Sequence, residues 1–386
     1  MQRIDFNGMK KLFYKLHAWL GLVSGLFVFI IALTGSLYAF QEEISSIPAY
    51  CHVKPSHNEM LSASKLQAIA ESQLPGKRMN SIQFQGRERA VEAFFYGYQP
   101  SYYYKVFINP YTGEVLKLKD MNKDFFRFVI QGHYYLWLPP TIGQPLVVAV
   151  TIVFFLVLLT GVVVWFPKQL SKIKNRLVFK WKKGSKAFKI NYDLHVVGGM
   201  YSIVFGIIFA LTGLIFGLPP LAAGIHQLAG GSKALSYGVA APKELPKTGL
   251  SSSQAVDSVW HLMLLEYPNA STLSVNPPYD STSVISASAT LSHGTHWKTD
   301  YRYFAPRSLQ ELSSDNIYGR LADANKADKL LRMNYDIHTG GILGLPGKIV
   351  ACLTSLFIAS LPITGIVIWW RKRKKTKPKA SVTPTN

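Results

Sequence analysis

The sequence predicts an α-helical membrane protein: a four-helix transmembrane bundle made by a tandem parallel repeat, with two α+β domains on one side of the bilayer. Three observations predict it. Four uncharged stretches, roughly 16–40, 145–166, 194–218 and 347–370, each reach the length of about 20 residues that carries a helix across hydrocarbon. Two polar segments, 41–142 and 219–346, are each large enough for a domain. The first and third apolar stretches share a pattern, as do the second and fourth.

Charge sets the expected orientation. At 48% hydrophobic and 16% charged residues the chain is too apolar for an ordinary soluble enzyme. Its net charge of +21 would suit a nucleic-acid partner, but the distribution argues against one. Of 42 basic residues, 20 fall in three short segments: Arg3 to Lys15, Lys168 to Lys189, and Arg371 to Lys379. The long segments are nearly balanced, with 11 basic against 9 acidic residues in the first and 10 of each in the second. Short basic segments stay cytoplasmic, which predicts both termini inside and both large segments outside.

The first span opens Leu16-His17-Ala18-Trp19-Leu20-Gly21 and ends at Thr34-Gly35. It is too long for a typical signal-peptide core and lacks a small-residue cleavage site, so it reads as an uncleaved span. The first outer domain opens with helical spacing over Leu61–Leu74, stopped by Pro75-Gly76. Strands are expected at Ser81–Phe84, Ala90–Tyr98 and Tyr102–Asn109. The last turns at Pro110-Tyr111-Thr112-Gly113 into Glu114–Leu118 as a β-hairpin.

Asp124–His133 and the aromatic run Tyr134 to Trp137 lead to the second span, which ends Thr160-Gly161-Val162-Val163-Val164-Trp165. The third span repeats the first, from Leu194-His195-Val196-Val197-Gly198-Gly199 to Thr212-Gly213. Both histidines stand seventeen residues before their threonine. A Gly/Ser/Pro-rich lead-in at 230–252 precedes a helix near Ser253–Glu266, an alternating run over Ser281–Leu291, and Tyr301–Phe304. Ala305-Pro306-Arg307 echoes the first hairpin without its Thr-Gly, so the second copy reads as degenerate. The fourth span follows Asp336-Ile337-His338-Thr339-Gly340-Gly341 and ends Thr364-Gly365-Ile366-Val367-Ile368-Trp369. His133 precedes Thr160 by 27 residues and His338 precedes Thr364 by 26. The repeats run in the same direction, which predicts a pseudo-twofold axis along the membrane normal.

That topology sets the histidines at two levels, His17 and His195 near the cytoplasmic face and His133 and His338 near the outer face. Two facing neutral imidazoles are the axial ligands of a b-type haem. The alternative is packing: an intramembrane histidine can simply bond a neighbouring helix. Gly21, Gly198, Gly199, Gly340 and Gly341 would let a flat ring pass. Arg127 and Arg332 outside, with Lys10, Lys11 and Lys189 inside, are candidate partners for haem propionates. Two haems, one per level, would make an electron path across the bilayer. Covalent haem is excluded, because Cys51 and Cys352 have no Cys-x-x-Cys-His spacing, and a disulfide between them is not expected. His293 and His296 are too few for a zinc site; His226 follows span three at the membrane face.

The chain resembles the PepSY-associated transmembrane family of iron-regulated membrane proteins, which includes ferric-siderophore reductases. The resemblance rests on Lys15-Leu16-His17-Ala18-Trp19-Leu20-Gly21-Leu22, Ile108-Asn109-Pro110-Tyr111-Thr112-Gly113-Glu114-Val115, Gly132-His133 through Leu138-Pro139, and Asp193-Leu194-His195. It departs at Arg307-Ser308-Leu309. It implies four helices, two periplasmic PepSY-like domains, and two bis-histidine haem b groups on His17/His195 and His133/His338. It also implies electron flow to a periplasmic ferric-siderophore or other ferric chelate.

The expected division is 1–40 N-terminus and first span, 41–132 first outer domain, 133–167 rim segment and second span, and 168–192 basic loop. Then come 193–218 third span, 219–335 degenerate second domain, 336–370 rim segment and fourth span, and 371–386 basic tail. The expected activity is haem-dependent reduction of a ferric-siderophore by a protein of the bacterial inner membrane. No flavin or nicotinamide fingerprint is present, so electrons would come from a quinol or a cytoplasmic donor. The alternatives are a non-redox protein that binds peptides or regulates a protease, and a metal permease using the histidines directly.

Overall fold

The computed structural model describes residues 6–56, 59–167, 169–239, 249–280 and 283–376. Arg3, Lys168, Lys377 and Lys379, the middle of the lead-in (240–248) and the first two residues of the Ser281–Leu291 run lie outside them. The chain divides into a helical unit (Met1–Ala39, Val129–Pro219, Lys348–Asn386) and a sheet unit (Phe40–Phe128, Pro220–Gly347).

Four helices are long and apolar enough to cross a membrane: span one Gly8–Tyr38, span two Pro140–Trp165, span three Ala187–Gly217 and span four Gly341–Arg373. Their 26 to 33 residues exceed a hydrocarbon core at about 1.5 Å per residue. Span three starts earlier than the apolar run suggests, because Ala187–Asp193 is already helical. Span one packs on span two and span two on span three. Val28 and Ala32 meet Val150 of span two and Ile358 and Ala359 of span four in a small buried cluster. Ser355 donates to the Ala32 carbonyl at 2.8 Å, a polar tie between spans one and four. Val23, Leu26, Val204 and Leu353 face outward. Such apolar faces suit lipid and not water, which makes this a membrane protein.

The sheet unit corrects one expectation. Both outer segments contribute to a single eight-stranded antiparallel sheet. The first supplies β1 Ser81–Phe84, β2 Val91–Tyr98, β3 Ser101–Ile108 and β4 Val115–Asp120. The second supplies β5 Thr272–Asn276, β6 Ile285–Thr290, β7 Thr299–Phe304 and β8 Glu311–Leu312. Their order is β4-β3-β2-β1-β5-β6-β7-β8, mirrored about a β1–β5 seam in which Ile82 pairs with Val275. Each four-stranded half alone would leave an unpaired edge at β1 or β5, and pairing the two removes both. Ile82, Phe84, Leu273 and Val275 alternate onto one face. The helices Ala63–Ser72 and Ser252–Glu266 bury that face through Leu66, Ala70, Val256, Val259 and Met263. The second helix begins with a capping box, Ser251 to Gln254.

The second hairpin is also not degenerate in shape. Around Gly113 (φ 79°), Gly113 N–H donates to Asn109 O and Asn109 N–H to Glu114 O, both at 2.9 Å. Leu309 N–H likewise donates to Ala305 O, and Ala305 N–H to Gln310 O, both at 2.9 Å. Leu309 adopts φ 59° where the first copy has glycine. A leucine there costs about 1–2 kcal/mol, and its side chain packs against the sheet's core in return.

Candidate functional site

Within the helical unit the structure brings His17 and His195 together. Their ring centroids are 6.3 Å apart, with ring planes at 75°. The two rings are held alike. His17 Nδ1 lies 3.1 Å from Val157 O and 3.2 Å from Thr160 Oγ1. His195 Nδ1 lies 3.1 Å from Leu361 O and 3.0 Å from Thr364 Oγ1. A carbonyl only accepts, so each Nδ1 carries the proton and each Nε2 keeps its lone pair. Neither Nε2 has a hydrogen bond among the described residues. The backbone at Gly161 stands against His17 and that at Gly365 against His195: a methyl on either would approach Cε1 to 3.2 or 3.0 Å. Span three makes a π-helical turn over Leu194–Gly198, at His195 itself. Such turns are rare and concentrate at functional sites.

The pair lines a cavity of ≈ 230 Å³ with walls from all four spans. Its walls include Leu158, Ile203, Ile358 and Leu361, and Gly21, Gly25, Gly161, Gly199 and Gly365 leave room at the backbone. Arg176 and Lys372 supply charge to it, and no Asp or Glu is among its described lining residues.

This geometry fits a bis-histidine haem. Two metal–imidazole bonds of about 2.0–2.1 Å plus two ring radii of about 1.1 Å place coaxial centroids about 6.3 Å apart. The observed separation is that distance. Haem carries four nitrogens of its own and asks the protein for two. Among the described residues no three His, Cys, Asp or Glu side chains cluster. Cys51 and Cys352 are both free thiols.

The other expected residues fall out variously. Helix Phe125–Tyr135 carries His133, whose Nδ1 bonds Ile31 O at 2.8 Å while Gly35 stands against its ring. That is the same seat again: a carbonyl three residues before the threonine of a Thr-Gly pair, then the glycine. His338 lies on the short helix Asn334–Thr339 in the sheet unit, so its pairing with His133 rests on the sequence. Gly21 and Gly199 line the cavity.

Gly198 does not line it; it makes room for the Phe357 ring between helices. Gly340 ends its helix in the left-handed region (φ 80°), and Gly341 is buried beside the Gly294 carbonyl. These have structural reasons apart from a flat ring. Arg332 is corrected too. It is buried in the sheet unit, donating to Ile317 O at 2.5 Å, Thr299 O at 3.0 Å and Gly319 O at 2.6 Å, so carbonyls occupy its donors. Arg127 stacks 5.6 Å over Tyr103. Lys189 pairs with Asp193 at 2.6 Å, and Lys10 bonds the Phe166 carbonyl.

Sequence reasoning passed over Thr160, Gly161, Thr364, Gly365, Trp165, Arg176 and Lys372. The signal for the first four was present, since each Thr-Gly recurs with a histidine.

Two further histidines are held against carboxylates in the sheet unit. His226 Nε2 meets Asp328 at 2.8 Å, and Lys233 meets the same carboxylate at 3.1 Å. Burial works to raise the Asp328 pKa, but hydrogen bonds from His226, the Asn325 N–H and Lys233 outweigh it and hold the carboxyl below its usual range. His296 sits between Asp336 (3.3 Å) and Glu42 (2.9 Å). Burial opposes its charge, yet the two carboxylates lift its pKa to about 9. Asp336 also accepts the backbone N–H groups of His296 and Trp297. Both histidines therefore serve the sheet unit's own packing.

A four-span membrane protein with a neighbouring, identically seated histidine pair inside its bundle is the class these features define. Residues 14–372 match the family described as the PepSY-associated TM region, and the chain belongs to that family. No curated protein matches it.

Proposed function

We propose that this protein is a di-haem b electron-transfer protein of the bacterial inner membrane. It reduces a periplasmic ferric-siderophore or similar ferric chelate with electrons from a quinol or a cytoplasmic donor. The observation that supports the reading is the His17–His195 pair, with ring centroids 6.3 Å apart and each Nδ1 on a backbone carbonyl, so that each Nε2 could ligate an iron. A haem there would supply one-electron transfer between the ferric and ferrous states.

The chain's own residues do the rest. The Val157 and Leu361 carbonyls fix both Nδ1 protons and make each Nε2 a stronger donor. Thr160 and Thr364 add a second polar contact to each ring. Gly161 and Gly365, lacking a Cβ, leave the room that the His17 and His195 rings occupy. Leu158, Ile203 and Ile358 keep water from the site. His133, seated in the same way on Ile31 and Gly35, would pair with His338 at a second haem, as the sequence repeat suggests.

At the acceptor, one electron takes Fe(III) to Fe(II), and hard oxygen chelators hold Fe(II) far more weakly, so the iron is released. The tandem duplication, with both termini cytoplasmic and the sheet unit periplasmic, belongs to the same reading and draws on the basic segments.

The test is transmembrane reduction. Full-length protein in vesicles with reduced quinone in the membrane, given an external ferric hydroxamate and an external ferrous-specific dye, should colour the dye. The His17→Ala variant should not. Equal rates from wild-type and protein-free vesicles would overturn the reductase reading.

A further inference from the structure

The basic end of the His17/His195 cavity contains more than the histidines require. Trp165, at the end of span two, is 8% exposed, and its indole Nε1–H has no acceptor among the described residues. A buried donor left unpaired costs about 1–3 kcal/mol, so an acceptor supplied by a ligand is the economical explanation. Trp165 lines the cavity together with Arg176 and Lys372. Arg176 is tied to this corner through the Trp165 carbonyl. Lys372 lies 3.0 Å from Tyr14 Oη and 4.5 Å over the Tyr14 ring, on the same cavity wall. Two cations and an orphaned donor, with no carboxylate among the described lining residues, favour negative charge at this part of an otherwise apolar chamber.

We propose that Arg176, Lys372 and the Trp165 indole N–H form a carboxylate clamp that fixes which way round the cavity's ligand lies. This rests on the haem reading, in which the clamped groups are the two propionates. It replaces the lysines at positions 10, 11 and 189 that sequence proximity favoured. The residues are positioning groups: they touch the ligand's acids and not its iron.

The experiment uses full-length protein made under haem limitation and titrated with haem or with haem dimethyl ester, which has the same ring but no free acids. The readout is the Soret signal that His17→Ala removes. Wild type should bind haem about tenfold or more tighter than the ester, the scale of one charge-assisted hydrogen bond. The triple variant Arg176→Gln, Lys372→Gln, Trp165→Phe should bind the two equally while keeping the wild-type affinity for the ester. Retained ester binding also shows that the variant folds. Its remaining haem should have a lower midpoint potential, because two cations that favour the ferrous state are gone. Equal affinity in wild type, or a preference that survives the triple substitution, would overturn the clamp alone. A wild type that binds neither compound would overturn the haem reading and the clamp with it.

Discussion

A single methyl group on span four should uncouple His195 from its partner. Alanine at Gly365 would bring Cβ to 3.0 Å from His195 Cε1. Carbon atoms pack best at about 3.5–4.0 Å, so the ring must retreat by at least about 0.5 Å. Metal–ligand distances are held within about 0.2 Å, so Gly365→Ala should cost the haem at this level. Gly161→Ala, at 3.2 Å from His17 Cε1, demands about 0.3 Å and should weaken binding less. Gly199→Ala meets only Leu361 at 3.7 Å and should change nothing at the histidines.

Gly217→Ala is the packing control. Its methyl would run into Val148 Cγ2, crowding span three against span two at a glycine that does not line the cavity. Overpacking of this kind costs about 1–3 kcal/mol, so melting temperature is measured beside haem content. The expected haem loss is Gly365→Ala greatest, Gly161→Ala intermediate and Gly217→Ala none, whatever the stabilities. Full haem in Gly365→Ala, or equal loss in Gly217→Ala, would refute the seat described for His195.

Further outcomes follow from the sheet unit. The His296 pKa is raised to about 9 by Asp336 and Glu42. Its contribution is therefore complete below the unfolded value of about 6.5 and fades as pH rises through about 9. His296→Gln should be less stable than wild type at pH 6, by about 1 kcal/mol or less after solvent screening. The gap in melting temperature should close by pH 10. Asp328→Ala strands His226 and Lys233 and should cost about 3–5 kcal/mol in denaturant titrations of the full chain. Gly113→Ala forces a side chain into φ 79° and sets it 2.8 Å from Ile69 Cδ1, whereas Gly76→Ala has φ 75° and open space. Both pay the left-handed penalty of about 1–2 kcal/mol; Gly113→Ala should lose measurably more, and equal losses would contradict the hairpin packing.

How much was legible follows from where the information lay. Length and lack of charge locate each span, because crossing hydrocarbon demands both. The strands β1 to β4 fall close to their expected bounds, since turn chemistry at Pro110 to Gly113 and alternation across Ile82 and Phe84 are local. The β1–β5 seam was not local. It joins residues 82 and 275, and nothing in either strand states its partner. The turn at Leu309 hid for a related reason: packing against a distant core lets leucine take a backbone shape that its own preference disfavours. His17 and His195 stood out through matched spacing. Their carbonyl and glycine seats did not, because Val157, Gly161, Leu361 and Gly365 lie on other helices. Arg332 misled because nearness in sequence to His338 says nothing of the carbonyls that surround its guanidinium.

The most direct test of His17 and His195 as one ligand pair is the absorption spectrum of the purified full-length protein, made with ample haem and read oxidised and then dithionite-reduced. A bis-histidine site gives a sharp Soret band and resolved reduced α and β bands. His17→Ala and His195→Ala should each remove the same component of those bands and leave the rest. Colourless wild-type protein, or two variants that remove different components, would contradict the account.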